Sequence, residues 1–345
     1  MPSQIIHVLS GSRALRRREL PVAGVIPEIF NLGCQGPDIF SHNRRTRPFA
    51  LAFSRLLHRH DYGRFCARFA RQVIGDSGAP VDPAAASWLY GFVTHQIADR
   101  VMHPYIVYRS WVAGSTGIAG VPPDRFHVFL ERVLDVLLYE RLEDRSVSSF
   151  DCLKFFAVDQ ATLLNLSRPI ALALAETYPL ENDNASDLEL RVQNAFSDTL
   201  YFYRLTNPSD VTLAAPPDEI RQALFPGFDV SDAALLHPVG LDASVDWLND
   251  ANGLWLDPVS GLECRLSVSD LFQRIVEEAA AAIGAAEKVL AGIEAPDSLE
   301  AAFGNGPLSI SGPDGKIGTV NHASPFELGP VLLDQAERRR AWLSL

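Results

Sequence analysis

Apolar residues recur every three or four positions along most of this chain, and the period predicts helices near 47–59, 62–75, 84–103, 124–144, 149–177, 185–206, 216–224 and 268–293. Breakers separate them: "GDSGAPVDP" (75–83), "GSTGIAGVPPD" (114–124), "APPDE" (215–219) and "NGPLSISGPDGKIG" (305–318). "ERRRAWLSL" (337–345) suggests a last short helix, and the Ser/Ile/Gly stretch near 308–319 a small hairpin. The Asp/Gly/Trp-rich stretch 236–267 has no period and is expected to be a long ordered loop. The expected fold is all-α: a multi-helix bundle with a small β-hairpin near the C-terminus. A boundary, if the chain has one, is expected between about 145 and 235. It would separate a helical core at 1–145 from a mainly helical region at 146–345 that completes its cleft.

The pattern is least ordinary in "GFVTHQIADRVMHPYIV" (91–107). His95, Asp99 and His103 stand four apart and fall on one stripe of a helix that is apolar nearly all round. A buried carboxylate between two imidazoles costs several kcal/mol, on the order of a lost solvation shell, unless it is paired or ligates a metal. Pro104 is expected to close this helix near His103, freeing that side chain to turn toward a different ion. A second helix, "PPDRFHVFLERVLDVLLYERL" (122–142), repeats the device with His127, Glu131 and Asp135, the last expected to orient a ligating imidazole. Of nine histidines, seven lie in the first 127 residues, together with Asp38 in the Gly/Pro turn of "NLGCQGPDIF" (31–40). One such His/Asp pair would read as a satisfied core network, whereas two helices and a turn presenting the same groups point to metal. Imidazoles mixed with carboxylates suit zinc first, then iron or manganese. A ferritin-like di-iron site would need Glu-x-x-His pairs, and the sequence has none here.

Composition narrows the rest. With 47% apolar residues, mean hydropathy +0.05 and no apolar run of about 18 residues, the chain is expected to be soluble and to build a sizeable core. "MPSQIIHVLSGSRALRRREL" shows no secretory pattern, so a cytoplasmic location is expected. Cys34, Cys66, Cys152 and Cys264 form no C-x-x-C pair and are expected to be buried thiols. The net charge of −12 hides an asymmetry: the first 75 residues carry twelve arginines and four acids. That patch either solvates helix faces or meets an anionic partner, such as an anionic membrane surface approached peripherally.

In the order "FNLGCQGPDIF" (30–40), "YGFVTHQIADRVMHPYI" (90–106) and "FHVFLERVLD" (126–135), the sequence resembles the bacterial zinc-dependent phospholipase C family, within the all-α superfamily that includes single-strand-specific zinc nucleases. Weaker echoes are "IIH" (5–7), "LLH" (56–58) before "RFCARF", and "WLDPVSG" before "SVSDLFQRIVEEA". The resemblance is good to about residue 145 and thin beyond it. It implies two to three zinc ions: one on His58, His95 and Asp99, with Asp99 bridging to a second, another on His103, His127 and Glu131, and a third on His7 and Asp38. Secreted members complete the third site with a processed N-terminal tryptophan, which this sequence lacks, so that site is expected to be empty or completed by water or another side chain.

The resemblance also implies hydrolysis of a phospholipid or related phosphodiester by metal-activated water, with Asp38 as ligand and general base, and no nucleic-acid partner. His58 and His60 compete for one role, and His58 is preferred for its spacing to Phe65. "HD" at 60–61 raises a rival, the HD-type metal phosphohydrolases, which would leave the Asp38 turn unexplained. A further alternative is a non-catalytic helical binding protein stabilised by metal. His42, His237 and His322 are read as surface or structural.

Overall fold

A computed structural model of the chain describes residues 4–18, 24–75, 80–112, 121–178, 185–211, 213–224 and 227–345. The helices, in chain order, begin with α1 (Gln4–Arg17), α2 (Pro27–Cys34), α3 (Asp38–Ser41), α4 (Leu51–Arg59), α5 (Tyr62–Ile74), α6 (Pro83–Ser110) and α7 (Asp124–Glu143). They continue with α8 (Cys152–Phe155), α9 (Gln160–Thr177), α10 (Ala185–Leu205), α11 (Pro208–Val211), α12 (Asp218–Leu224), α13 (Val230–Ala233), α14 (Val268–Leu290), α15 (Asp297–Phe303) and α16 (Leu328–Leu343). The fold is all-α, and among the described residues no helix is long and apolar enough to cross a membrane.

Helix α6 is the axis of the molecule. Pro83 sits at its first turn, where a missing N–H costs nothing, and Asp82 caps it by accepting from the Ala84 N–H at 2.9 Å. Its apolar residues face every direction and are buried on all sides, with α2 packed against one flank and α14 against another. The α2 crossing is close because glycines meet there. A Cβ on Gly91 would lie 2.1 Å from the Phe30 carbonyl, and one on Gly33 2.3 Å from the Trp88 carbonyl. Helix α14 shows the amphipathic pattern plainly, burying Leu271, Phe272, Ile275, Ala279, Ile283 and Ala286. It starts at a capping box in which Ser267 and Asp270 exchange side-chain to backbone bonds.

Helix α6 does not end at His103. It runs through Pro104 to Ser110, because the turns beyond bury Tyr105, Ile106, Val107 and Tyr108. An interior proline costs about 3 kcal/mol, whereas fully burying one large apolar side chain yields about 1.5–3 kcal/mol. Several such side chains outweigh the break. His103 therefore stays on the helical stripe with His95 and Asp99.

Other departures have equally local causes. Helix α1 is buried from Gln4 to Gly11 without an exposed face, so it has no stripe for a periodicity to reveal. The 149–177 segment divides into α8 and α9, because Asp159 caps a new start by accepting from the Thr162 N–H at 2.9 Å. Paired strands occur within 236–267: β1 (Trp255–Leu256) runs antiparallel to β2 (Glu263–Cys264), with Trp255 opposite Cys264. The 308–319 stretch folds back on itself through one antiparallel bridge, Ser311 to Ile317. Arg100 of α6 donates to the carbonyls of Phe303, Gly306 and Pro307, which fixes that C-terminal segment beside His103.

Candidate metal centre

The sequence-predicted residues come from five helices and meet along the middle turns of α6. His7 arrives on α1, Asp38 at the first position of α3, His58 in the last turn of α4, His95, Asp99 and His103 from α6, and His127 and Glu131 from α7. All but His58 and His127 are buried, and those two open onto a cleft of about 310 Å³. Asp38, Asp99 and His103 line the same cleft.

Local structure aims each ring. The His95 Nδ1–H donates to the Cys34 carbonyl at 3.2 Å, and the His58 Nδ1–H to the Ser54 carbonyl one turn back at 2.7 Å. His103 turns Nδ1 to the Leu308 carbonyl at 3.4 Å, so the segment anchored by Arg100 positions a cluster residue. A neutral imidazole whose Nδ1 donates carries its lone pair on Nε2. All three Nε2 atoms point at carboxylate oxygens, so a proton or an ion has to lie between each ring and its carboxylate. Gly36 makes room for one of them: its φ is +54°, and a Cβ there would lie 2.3 Å from Cγ of His95.

The distances fit a coordination shell, although the two Glu131 contacts also meet hydrogen-bond geometry. His58 Nε2 is 3.3 Å from Asp38 Oδ1 and 3.5 Å from Asp99 Oδ2. His95 Nε2 is 3.6 Å from Asp38 Oδ2 and 3.3 Å from Asp99 Oδ2. The other Asp99 oxygen, Oδ1, is 3.5 Å from His7 Nε2 and 3.7 Å from His103 Nε2. Glu131 Oε1 lies 3.3 Å from His103 Nε2 and 3.1 Å from His127 Nε2. Charge-assisted N–H···O bonds close to about 2.7–2.9 Å. Donors held about 2.0–2.2 Å from one tetrahedral ion stand about 3.3–3.6 Å from each other.

Buried Asp38 Oδ2, His95 Nε2, Asp99 Oδ2 and Glu131 Oε2 have no hydrogen-bond partner among the described residues, a cost that an ion beside them removes. Three groups of donors can each hold an ion: Asp38, His58 and His95; His103, His127 and Glu131; and His7, His95 and Asp99.

This partition differs from the expected one in the place of Asp38. It joins His58 and His95 rather than His7, and His7 faces Asp99 instead. Asp99 presents one oxygen to each side, the disposition of a bridging carboxylate. The rings of His7 and His95 stack at 4.3 Å.

Charges follow from the same packing. Burial alone would raise the Asp38 carboxyl, yet His95 and His58 outweigh it and hold it below its usual range. Burial likewise opposes ionisation of Asp99, and His103 and His95 overcome it, holding that carboxyl well down. His103 is pushed the other way: burial disfavours its cation, but Asp99 and Glu131 raise it to about 9. His7, desolvated and beside His95, falls to about 4.

The remaining histidines lie elsewhere. His60 is exposed and its Nδ1 meets Asp61 Oδ2 at 2.7 Å, so the "HD" pair closes on itself at the surface and only His58 enters the cluster. His42 is buried and stacks on Phe202 at 4.3 Å. Asp135 does not serve the cluster in the expected way. Its Oδ1 accepts from the Ile5 and Ile6 N–H groups at 3.1 and 2.9 Å, and its Oδ2 lies 3.2 Å from His237 Nε2. It thus caps α1 and positions His7 through that helix. The sequence signal for this was the four-residue spacing from Glu131, whereas the partner, the start of α1, was invisible to any spacing.

No curated protein and no solved structure matches the chain. A family model does: the zinc dependent phospholipase C model matches residues 6–184, a span that contains His7, Asp38, His58, His95, Asp99, His103, His127 and Glu131. With more than half of its length matched, and with imidazole and carboxylate donors gathered at tetrahedral spacing inside that half, the chain belongs to the zinc-dependent phospholipase C family.

Proposed function

We propose that this chain hydrolyses a phospholipid or a closely related phosphodiester at the glycerol-side ester bond, releasing diacylglycerol and a phosphorylated head group. One observation carries the reading: buried, unpartnered imidazole and carboxylate donors stand at coordination spacing along the wall of a solvent-open cleft. A purely structural zinc site is closed by its four protein ligands.

Asp38, His58 and His95 would hold one ion with Asp99, and His103, His127 and Glu131 a second. His7 and the outer oxygen of Asp99 offer two donors to a third. Zinc bound there brings the pKa of a coordinated water toward 7 and stabilises charge on phosphoryl oxygens. The protein's own part is positional and acid–base. Nδ1 bonds to the Cys34, Ser54 and Leu308 carbonyls keep three rings aimed, so little reorganisation accompanies reaction. Asp38 is ionised at neutral pH and borders the cleft, so one of its oxygens takes the proton of the attacking water. The new P–O bond forms on that water oxygen while the bond to the glycerol oxygen breaks. The departing alkoxide is protonated from solvent.

The test pairs metal analysis with turnover of p-nitrophenyl phosphorylcholine and a short-chain phosphatidylcholine. The expected result is two to three zinc ions per chain and hydrolysis that a chelator abolishes and zinc restores. A fully zinc-loaded protein that turns over no phosphodiester would sink the proposal.

A further inference from the structure

The N-terminal arginines separate into two populations. Most of those on or just after α1 and on α5 are neutralised: Arg13 pairs with Glu143, Arg17 with Glu277, Arg18 with Glu287, Arg64 with Asp61 and Glu300, Arg68 with Glu176, and Arg71 with Asp297. Arg44 and Arg55 have no acidic partner among the described residues, and both line the metal-bearing cleft. Their placement is built. Arg55 lies three residues before His58 on α4 and so shares its face. Arg44 belongs to a loop pinned by Asp198, whose carboxylate accepts from Asn43 Nδ2 and from the Arg45 and Thr46 N–H groups at 2.8–2.9 Å. The Arg44 Nε donates to the Ser41 carbonyl at 3.1 Å, which holds the guanidinium toward the cleft.

The remaining lining sharpens the chemistry. Among the described residues it consists of cluster residues with Ser41, Ser54 and Leu51, without an aromatic ring and without a carboxylate outside the cluster. A quaternary ammonium is recognised by aromatic cages, and this wall has none to offer. Charge balance points the same way: Asp38, Asp99, Glu131 and one phosphodiester anion together neutralise two divalent ions. Both guanidinium groups are then left for a further anion.

Resting on the phosphodiesterase reading above, we infer that Arg44 and Arg55 form a head-group subsite for a substrate carrying a second anionic group, a phosphate or carboxylate, beyond the scissile diester. Planar guanidinium forks suit such oxyanions.

Zinc-loaded protein is titrated calorimetrically with inositol 1,4-bisphosphate, inositol 1-phosphate, phosphorylcholine and inorganic phosphate. The bisphosphate is expected to bind at least about tenfold more tightly than the other three, as one added charge-assisted contact provides. In the R44A/R55A double variant that advantage disappears, while zinc content is unchanged and affinity for inositol 1-phosphate stays within about threefold. Equal affinities, a preference for phosphorylcholine, inorganic phosphate binding as tightly as the bisphosphate, or an advantage that survives the double substitution would each overturn the inference. Hydrolysis is read separately on short-chain phosphatidylinositol 4-phosphate. Absent turnover with intact bisphosphate selectivity removes the enzymatic reading and leaves the anion subsite standing.

Discussion

Gly36 shows how much of the site depends on an atom that is missing. Its backbone is left-handed and its Cα faces the His95 ring, so a methyl group there meets both strain and a collision at 2.3 Å. Gly36→Ala is therefore expected to push His95 off its aim and weaken zinc binding by about 10–100-fold, the usual cost of disturbing what orients a ligand. Competition with a chromophoric chelator measures this, and far-ultraviolet dichroism should stay unchanged. A second residue-level test concerns the metal-free protein. His103 is raised to about 9 in the fold by Asp99 and Glu131, against about 6.5 for a free imidazole. A raised histidine contributes stability that is fully present below pH of about 6.5 and is lost as pH climbs through about 9. The urea midpoint of metal-free protein should accordingly fall between pH 6.5 and 9, and His103→Gln should flatten that slope. An equally steep slope in the variant would show that other groups dominate.

Helices α6 and α7 were legible because chemistry interrupts an apolar pattern at a fixed interval, and the interval places His95, Asp99 and His103, or His127 and Glu131, on one line. How the donors group in space was not legible. Asp38 meets His58 and His95 because the α2–α3 turn, α4 and α6 converge, and that convergence depends on Gly33 and Gly91 bringing backbones together. Helix α1 escaped the periodic reading because burial surrounds it, and the stop expected at Pro104 was overridden by the burial of the residues beyond. At this scale the Asp198 pin is the sharpest test. Its carboxylate gathers Asn43, Arg45 and Thr46 across 152 residues or more of sequence. Asp198→Ala leaves these donors unsatisfied and is expected to cost about 2–4 kcal/mol in denaturant unfolding. Asp198→Asn keeps one acceptor oxygen and should lose less. Equal loss in both would show that the charge, not the acceptor geometry, holds the loop.

For the molecule as a whole, the cluster joins α1, α3, α4, α6 and α7, while the Leu308 segment buttresses it from the C-terminal half. Ions placed there bind only where these elements have already met, so their binding free energy belongs to the folded state. The same elements bring Asp38, Asp99 and Glu131 into the interior, where one buried oxygen of each has no hydrogen-bond partner among the described residues. Removing the metal therefore acts twice, withdrawing ligand stabilisation and exposing carboxylates to one another across an apolar wall. At free zinc about a thousandfold above Kd, the first effect alone is about 4 kcal/mol, or roughly 5–6 °C in Tm for a chain of 345 residues. Calorimetry with and without chelator should show a drop of at least that size, reversed by zinc and much smaller in Asp99→Asn, which weakens the carboxylate shared by the donor groups. A chain whose Tm ignores both chelator and zinc would have satisfied its buried donors without metal, and the tetrahedral spacing of the imidazole and carboxylate atoms would need another cause.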